Sequence, residues 1–218
     1  MHAVIFDVDG VLIDSYAAHY ASWSGIAEEL GTTFDEDAFA LAFGRTTWEV
    51  LEELGGGALD EQGVRAYDAR KEAAYRDIIT NAFPAMPGAV ELIDALASGG
   101  IALAVGSSGP RENVHLVLNE LERFDRFGAI VTGSDVTRGK PDPQVFQLAA
   151  RGLAVDPGHC VVIEDAPAGI DAARAAGMAV IGFASTGRTR AELADADFVV
   201  EALAEIGVER IESLRAKC

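Results

Sequence analysis

Cysteine, positive charge and long hydrophobic runs are all scarce in this chain of 218 residues. The two cysteines, Cys160 and Cys218, are too few for a disulfide framework or a cysteine-based metal site. Apolar runs such as residues 101–105 are far shorter than the roughly 18 residues that a membrane-spanning helix needs. Lysine and arginine number 17 against 35 acidic residues, and the resulting charge of −18 repels nucleic-acid backbones and anionic lipid. We therefore expect neither nucleic-acid nor membrane partners.

The composition, 50% hydrophobic and 24% charged, is ordinary for a soluble enzyme and excludes an intrinsically disordered chain. The length allows one large core and a smaller appendage. The amino terminus lacks the basic region, apolar stretch and small-residue cleavage site of a secretory signal. We expect a monomer or weak homodimer in a reducing cytoplasm.

Short apolar runs recur along the chain, each followed by a turn residue or an acid. They are typical of buried parallel strands and lie at residues 3–6, 101–105, 129–131, 160–163, 179–183 and 198–200. Helical patterns alternate with them after about residue 88, and Pro110, Pro143 and Pro167 mark helix starts. The alternation predicts an α/β fold whose core is a doubly wound parallel, Rossmann-like sheet.

The stretch 14–83 has a different pattern, without a convincing strand. Its periodicity predicts helices near residues 15–30, 35–42, 46–54 and 60–81. We expect a small helical cap domain here, inserted after the first strand and seated over the sheet. The core domain would then comprise residues 1–13 and 84–218.

Polar side chains follow several predicted strands at the point where each strand ends. Asp7 and Asp9 come directly after the first strand, two residues apart, and so lie on the same side of an extended segment. Later strands lead to Ser107 and Ser108, to Lys140, and to Glu164 and Asp165. Because the carboxyl ends of parallel strands meet at one edge of a sheet, we expect these groups to form one site.

The residue types at this edge indicate phosphoryl chemistry. Acids without histidine or cysteine beside them suit a hard cation with oxygen ligands, which we predict to be Mg²⁺. Lysine, hydroxyl and backbone N–H donors match the oxygens of a phosphoryl group. Asp7 could then attack phosphorus to form an aspartyl-phosphate, while Asp9 protonates the leaving oxygen and later deprotonates water or an alcohol.

This constellation resembles the haloacid dehalogenase superfamily, specifically the phosphatase and phosphomutase branch with a helical cap between the first two core motifs. The first motif, D-x-D-G-x-L, appears as Asp7-Val8-Asp9-Gly10-Val11-Leu12. The second is Ser107, the third is Lys140 in Gly139-Lys140-Pro141, and the fourth is the Glu164-Asp165 pair. The resemblance spans essentially the whole chain, and the order of the motifs makes it specific.

The resemblance implies a role for each core residue. Asp7 would be the nucleophile, Asp9 the general acid and base, and Ser107 and Lys140 the phosphate clamps. Aspartate at position 9 disfavours dehalogenation, since expelling a halide needs no acid.

The remaining implied core residues bind the metal and the substrate. The Asp7 and Asp165 side chains and the Asp9 carbonyl would hold Mg²⁺, with Glu164 as a further ligand. Gly10 and Ser108 are expected beside the substrate.

In the helical region, His19 and Trp23 follow the first motif at a spacing similar to β-phosphoglucomutase-like proteins, and a helix places them on one face. They are candidate substrate-binding residues, although Trp23 could pack in the cap core and His19 could be a surface residue. Lys71 aligns roughly with a cap lysine of the mutases, or else belongs to a solvated helical face.

The mutase pattern also includes a cap arginine in a G-x-S-R segment. This chain reads Gly44-Arg45-Thr46-Thr47, so the arginine is displaced and Thr47 stands at the matching place. Arg45 and Thr47, and Arg111 from the core, remain candidates for contacting substrate. The departure favours a hydrolase over a mutase.

We therefore predict a Mg²⁺-dependent phosphomonoester hydrolase that acts on a small phosphorylated metabolite, of sugar phosphate or phosphoglycolate type. One alternative is a phosphomutase of β-phosphoglucomutase type. Another is a receiver-like signalling module, which also forms a phospho-aspartate but needs neither Asp9 nor a cap.

Overall fold

The computed structural model describes residues 2–43, 46–56 and 59–214. The chain forms two compact units, Met1–Asp14 with Ala85–Cys218, and Ser15–Pro84. We call them the core unit and the helical unit.

The core unit contains a parallel sheet of six strands in the order β3-β2-β1-β4-β5-β6. The strands are β1 Ala3–Phe6, β2 Ala102–Gly106, β3 Ala129–Val131, β4 Cys160–Glu164, β5 Ala179–Phe183 and β6 Phe198–Val200. The chain builds outward from the central β1 first to one side and then to the other. The doubly wound parallel fold is thereby confirmed, with the switch point beside β1 where such sheets bind ligands.

Several of the helices start after a capping side chain or at a proline. In chain order, the helices are α1 Tyr16–Glu29, α2 Glu36–Ala42, α3 Thr47–Leu51, α4 Glu61–Asn81, α5 Ala89–Ser98, α6 Arg111–Glu120, α7 Gln144–Leu153, α8 Pro167–Ala175 and α9 Val208–Ser213. No helix in the described part of the chain combines the length and the hydropathy needed to cross a membrane.

Apart from Glu164 at the end of β4, the strands are apolar, because helices cover both faces of the sheet. All residues of β1 and β4 are buried. On one face, Ile5, Ala104 and Val162 pack with Phe146 of α7. Gly106 allows this packing, since a Cβ there would lie 2.8 Å from the Phe146 ring.

The helical unit has a separate apolar core, in which α1 and α4 pack together. Its helix starts are set by side chains that accept from free backbone N–H groups, such as Asp35 at α2 and Asp60 at α4. The predicted helix near 46–54 is present but is not α-helical throughout, since α3 ends at Leu51 and a π-helical turn, Glu52–Gly56, follows. Within that turn Gly55 takes the left-handed conformation (φ 88°), which glycine adopts readily.

Truncating a buried side chain beneath the sheet helices should destabilise the protein. Ile5 is fully buried, so Ile5→Ala should lower the free energy of unfolding by about 2–5 kcal/mol through lost burial and a residual cavity. Leu41→Ala is the control, since Leu41 is 84% exposed and its truncation should change stability by less than about 0.5 kcal/mol. Denaturant unfolding measures both, and equal effects would contradict the packing described here.

Candidate active site

The segment after β1 turns back sharply at the carboxyl edge of the sheet. The Asp7 N–H still donates to the Ile163 carbonyl (3.0 Å), whereas the next residues form a turn in which the Leu12 N–H donates to the Val8 carbonyl (2.8 Å). Gly10 has φ 75° within this turn. Asp7 is thus held by the sheet, and Asp9 by the turn.

Gly10 lies against the Asp165 carboxylate that follows β4. A Cβ at Gly10 would be 2.1 Å from Asp165 Oδ2, and its positive φ also disfavours a side chain. The glycine therefore allows a carboxylate to pack directly on the backbone.

Three acids meet at this edge. Candidate ligand oxygens of Asp7, Glu164 and Asp165 all lie within 4.8 Å of one another, and all three residues are buried. The Lys140 Nζ lies 2.6 Å from Asp7 Oδ1 and 2.6 Å from Glu164 Oε1. The Lys140 side chain is itself only 8% exposed. One buried ammonium therefore faces three buried carboxyl groups, an excess of negative charge that favours a further cation or protonation.

The pKa values reflect this crowding. Burial raises the pKa of Asp7 to about 7, even though Lys140 opposes the shift. Burial, reinforced by the nearby Glu164 and Asp7, raises the pKa of Asp165 well above its usual range. For Lys140, burial alone would lower the pKa, but the Asp7 and Glu164 carboxylates outweigh it and raise the pKa.

The acid cluster fits a hard divalent cation. Its donors are all carboxylate oxygens, the ligand type that Mg²⁺ prefers. Glu164 already accepts from Lys140 at Oε1 and from the Ala166 N–H at Oε2 (2.9 Å). The carboxylates with most coordinating capacity left are those of Asp7 and Asp165.

Ser107 is positioned by the end of β2. Its N–H donates to the Val131 carbonyl (3.0 Å), and its Oγ accepts from the Gly109 N–H (3.0 Å). The hydroxyl hydrogen of Ser107 can then be donated to a different acceptor, such as an oxygen of a bound anion. A Cβ at Gly109 would lie 3.3 Å from Ser107 Oγ and 3.5 Å from Asp9 Oδ2, so both groups border this glycine.

The other predicted site residues of the core unit are exposed to solvent. Ser108 is exposed. Arg111 begins α6, and its guanidinium forms an ion pair with Asp135, which follows β3. Arg111 therefore pairs with an acidic residue of the core unit itself.

Within the helical unit, the structure brings His19, Trp23 and Lys71 together. Lys71 Nζ lies 2.8 Å from His19 Nδ1 and 5.8 Å from the centre of the Trp23 ring. The His19 ring stacks on Tyr75 with centroids 4.2 Å apart. Lys71 also donates to Glu72 (2.8 Å) and its side chain is 6% exposed, so the alternative of a solvated helical face is wrong.

Trp23 also has a structural role in the helical unit. Trp23 packs in the apolar core, as the alternative interpretation expected. Thr47 donates to Asp68 (2.6 Å). Arg45 lies outside the described residues.

Sequence reasoning missed the loop after β5, which also reaches the acid cluster. Ser185 Oγ lies 3.5 Å from Asp165 Oδ2, and the positive charge of Arg188 partly offsets the burial that raises the pKa of Asp165. The signal was available, because Ser185-Thr186-Gly187 after a predicted strand repeats the hydroxyl and glycine pattern of residues 107–109.

The raised pKa of Asp7 predicts how stability depends on pH. The folded protein keeps the Asp7 proton up to about pH 7, whereas the unfolded chain releases it near its ordinary value of 3.8. Because the folded state binds more protons between these values, its unfolding free energy should fall as the pH rises from about 4 to 7. Urea unfolding in a chelator measures this slope. Asp7→Asn should make the slope smaller, with Asp165 still contributing, and equal slopes in both proteins would contradict the assignment.

Comparisons with known proteins agree with this geometry. A family model for haloacid dehalogenase-like hydrolases matches residues 1–177. β-Phosphoglucomutase of Bacillus subtilis (strain 168) is 36% identical over 189 residues, which cover 84% of this chain and 83% of the relative. Fructose-1-phosphate phosphatase YqaB of Escherichia coli (strain K12) is 33% identical over 180 residues, 80% of this chain and 92% of the relative.

A solved structure is similar over nearly the full length. The HAD hydrolase of family IA, variant 3, from Entamoeba histolytica HM-1:IMSS superposes with a TM-score of 0.89 at 28% identity, covering 97% of each chain. The family match includes every core motif from Asp7 to Asp165, and the predicted family is confirmed. This chain belongs to the haloacid dehalogenase-like hydrolases.

Proposed function

We propose that this protein is a Mg²⁺-dependent phosphomonoester hydrolase that acts on a small sugar phosphate through a phospho-aspartate. The observation that carries the proposal is the buried cluster of Asp7, Glu164 and Asp165 around Lys140, whose Nζ is 2.6 Å from Asp7. At one edge of the sheet, this cluster would supply the nucleophile, the carboxylates of a cation site and an ammonium group that donates hydrogen bonds to phosphate. Family membership supports the reaction class.

The Asp7 and Asp165 side chains and the Asp9 carbonyl would hold Mg²⁺, with Glu164 beside them. When bound, Mg²⁺ supplies positive charge that offsets the repulsion between a phosphate dianion and the carboxylates. Lys140 supplies further positive charge, and Ser107 a hydroxyl donor, to the phosphoryl oxygens.

In the first half-reaction, a carboxylate oxygen of Asp7 forms a bond to phosphorus while the bond from phosphorus to the sugar oxygen breaks. Asp9, in its protonated form, gives its proton to that leaving oxygen. The sugar departs as an alcohol, and the phosphoryl group stays on Asp7.

In the second half-reaction, a water oxygen bonds to phosphorus and the bond from phosphorus to the Asp7 oxygen breaks. Asp9, now a carboxylate, accepts a proton from this water. Inorganic phosphate leaves, Asp7 returns as a carboxylate and Asp9 as an acid, so the cycle is closed.

The helical unit would provide substrate selectivity. The His19, Lys71 and Trp23 cluster combines an ammonium, an imidazole and an aromatic ring, groups that recognise sugar hydroxyls and phosphate. Arg45 and Thr47, which lie between Trp23 and Lys71 in the sequence, are further candidates for contacting the substrate. Two relatives named above, a fructose-1-phosphate phosphatase and a β-phosphoglucomutase, support a phosphorylated sugar as the substrate class.

The proposal is tested by phosphate release from a panel of phosphorylated sugars and acids. Asp7→Asn removes the nucleophile and should lower kcat by at least about a thousandfold. Asp171→Asn is the matched control, because Asp171 is exposed on α8 and its substitution should leave the rate unchanged. A rate for Asp7→Asn within about tenfold of the wild type would overturn the mechanism.

Metal removal gives a separate prediction. Because the acid cluster needs a cation to accept a phosphate dianion, EDTA should abolish phosphate release, and Mg²⁺ added in excess should restore it. The measurement is initial rate against free Mg²⁺ concentration, with NaCl added at equal ionic strength as the control. Full activity in EDTA would contradict a divalent cation at Asp7 and Asp165.

A phosphomutase is the second candidate, favoured by the 36% identity to the Bacillus subtilis β-phosphoglucomutase. The assay supplies β-glucose 1-phosphate together with a trace of glucose 1,6-bisphosphate as the activator. Glucose 6-phosphate formed without an equal release of phosphate would establish the mutase. A stable phospho-aspartate without turnover would instead favour the signalling module.

A further inference from the structure

Two loops at the carboxyl edge of the core unit are joined by several independent contacts. We call residues 107–111 the serine loop and residues 132–135 the β3 turn. The Gly133 N–H donates to the Gly109 carbonyl (2.9 Å), and the Arg111 N–H donates to Ser134 Oγ (3.4 Å). The loops also touch directly, since a Cβ at Gly133 would lie 2.2 Å from the Ser108 carbonyl oxygen.

Asp135 connects the two loops through both of its carboxylate oxygens. Oδ2 accepts from the Thr132 N–H (2.9 Å) and the Thr132 hydroxyl (2.6 Å). Oδ1 accepts from the Arg111 guanidinium. Thr132 is fully buried at the end of β3, so one side chain links a fixed point of the sheet to the first residue of α6.

The ion pair itself can add little to global stability, because it is partly exposed: the side chains of Arg111 and Asp135 are 53% and 29% exposed. Its effect is local. The serine loop holds Ser107 Oγ through the Gly109 N–H, and the Gly109 carbonyl is in turn held by the β3 turn. A shift of the β3 turn would therefore be passed to the Ser107 hydroxyl.

We propose that Asp135 is a positioning residue, which holds the serine loop in place through Arg111 and Thr132. On this proposal Arg111 acts through its ion pair and not as a substrate ligand. The kinetic part rests on the proposed function, in which Ser107 donates to the phosphoryl group. The structural part does not.

The structural part is tested by amide hydrogen exchange of Asp135→Asn. The asparagine carbonyl can still accept from Thr132, but its NH₂ group cannot pair with the Arg111 guanidinium. We expect exchange at Gly109 and Gly133 to become at least about tenfold faster while Tm changes little. The matched control is Asp94→Asn, which removes the distant Arg123–Asp94 pair (2.8 Å) and should leave both amides unchanged.

The kinetic part compares Asp135→Asn, Arg111→Ala and the double variant on a sugar phosphate that the wild type hydrolyses. Positioning predicts that each single variant lowers kcat by about tenfold with little change in KM. The kcat of the double variant should be no lower than that of the less active single variant, since both substitutions break the same ion pair.

Other outcomes overturn the proposal. If Arg111 is a substrate ligand, Arg111→Ala raises KM, whereas Asp135→Asn, which frees the guanidinium, leaves kcat unchanged. Unchanged exchange at Gly109 and Gly133 refutes the structural part by itself. If the wild type releases no phosphate, the proposed function fails, and the exchange experiment still decides whether Asp135 holds the loop.

Discussion

The structure of the core unit depends on the confinement of one ammonium among buried carboxyl groups. The Lys140 Nζ lies 2.6 Å from Asp7 Oδ1 and 2.6 Å from Glu164 Oε1, two carboxylates that are far from Lys140 in the sequence. Neither sign of charge could be buried here without the other. The same contacts that allow these groups to be buried also place the Lys140 ammonium beside the Asp7 carboxylate, which is the proposed nucleophile. Negative charge remains in excess after this pairing, and a bound cation can neutralise it.

The parallel sheet makes this confinement possible. Phe6 pairs in register with Val105 of β2 and Ile163 of β4, so the three strands end at nearly one level. The segments that leave these ends carry the polar side chains of the candidate site, Asp7, Asp9, Ser107 and Asp165. Glycines then replace side chains where the groups are closest, as at Gly10 beside Asp165 and at Gly169, where a Cβ would lie 1.8 Å from Glu164 Oε1.

Much of this arrangement was predictable from the sequence, because buried strands and the acids after them are local signals. The convergence of Asp7 and Asp165 follows from strand direction, whereas Lys140 reaches them from the far end of a loop after β3. Contacts between loops are not local signals, so the link from Asp135 to Arg111 was missed, although Thr132 and Asp135 have the spacing of a capping box. Lys71 was ambiguous for a similar reason, since its burial depends on His19, far away in the chain.

The two units have separate apolar cores, and this division affects how the protein can change over time. Substitutions around Trp23 and Phe39 alter the packing of one core, while Ile5 and Phe146 belong to the other. Because substitutions that share no contacts have nearly additive effects on stability, the apolar core of the helical unit can accumulate changes without loss of packing in the core unit. Under the proposed function, selection for a new substrate would then act on one unit while the bond-breaking chemistry is inherited intact in the other.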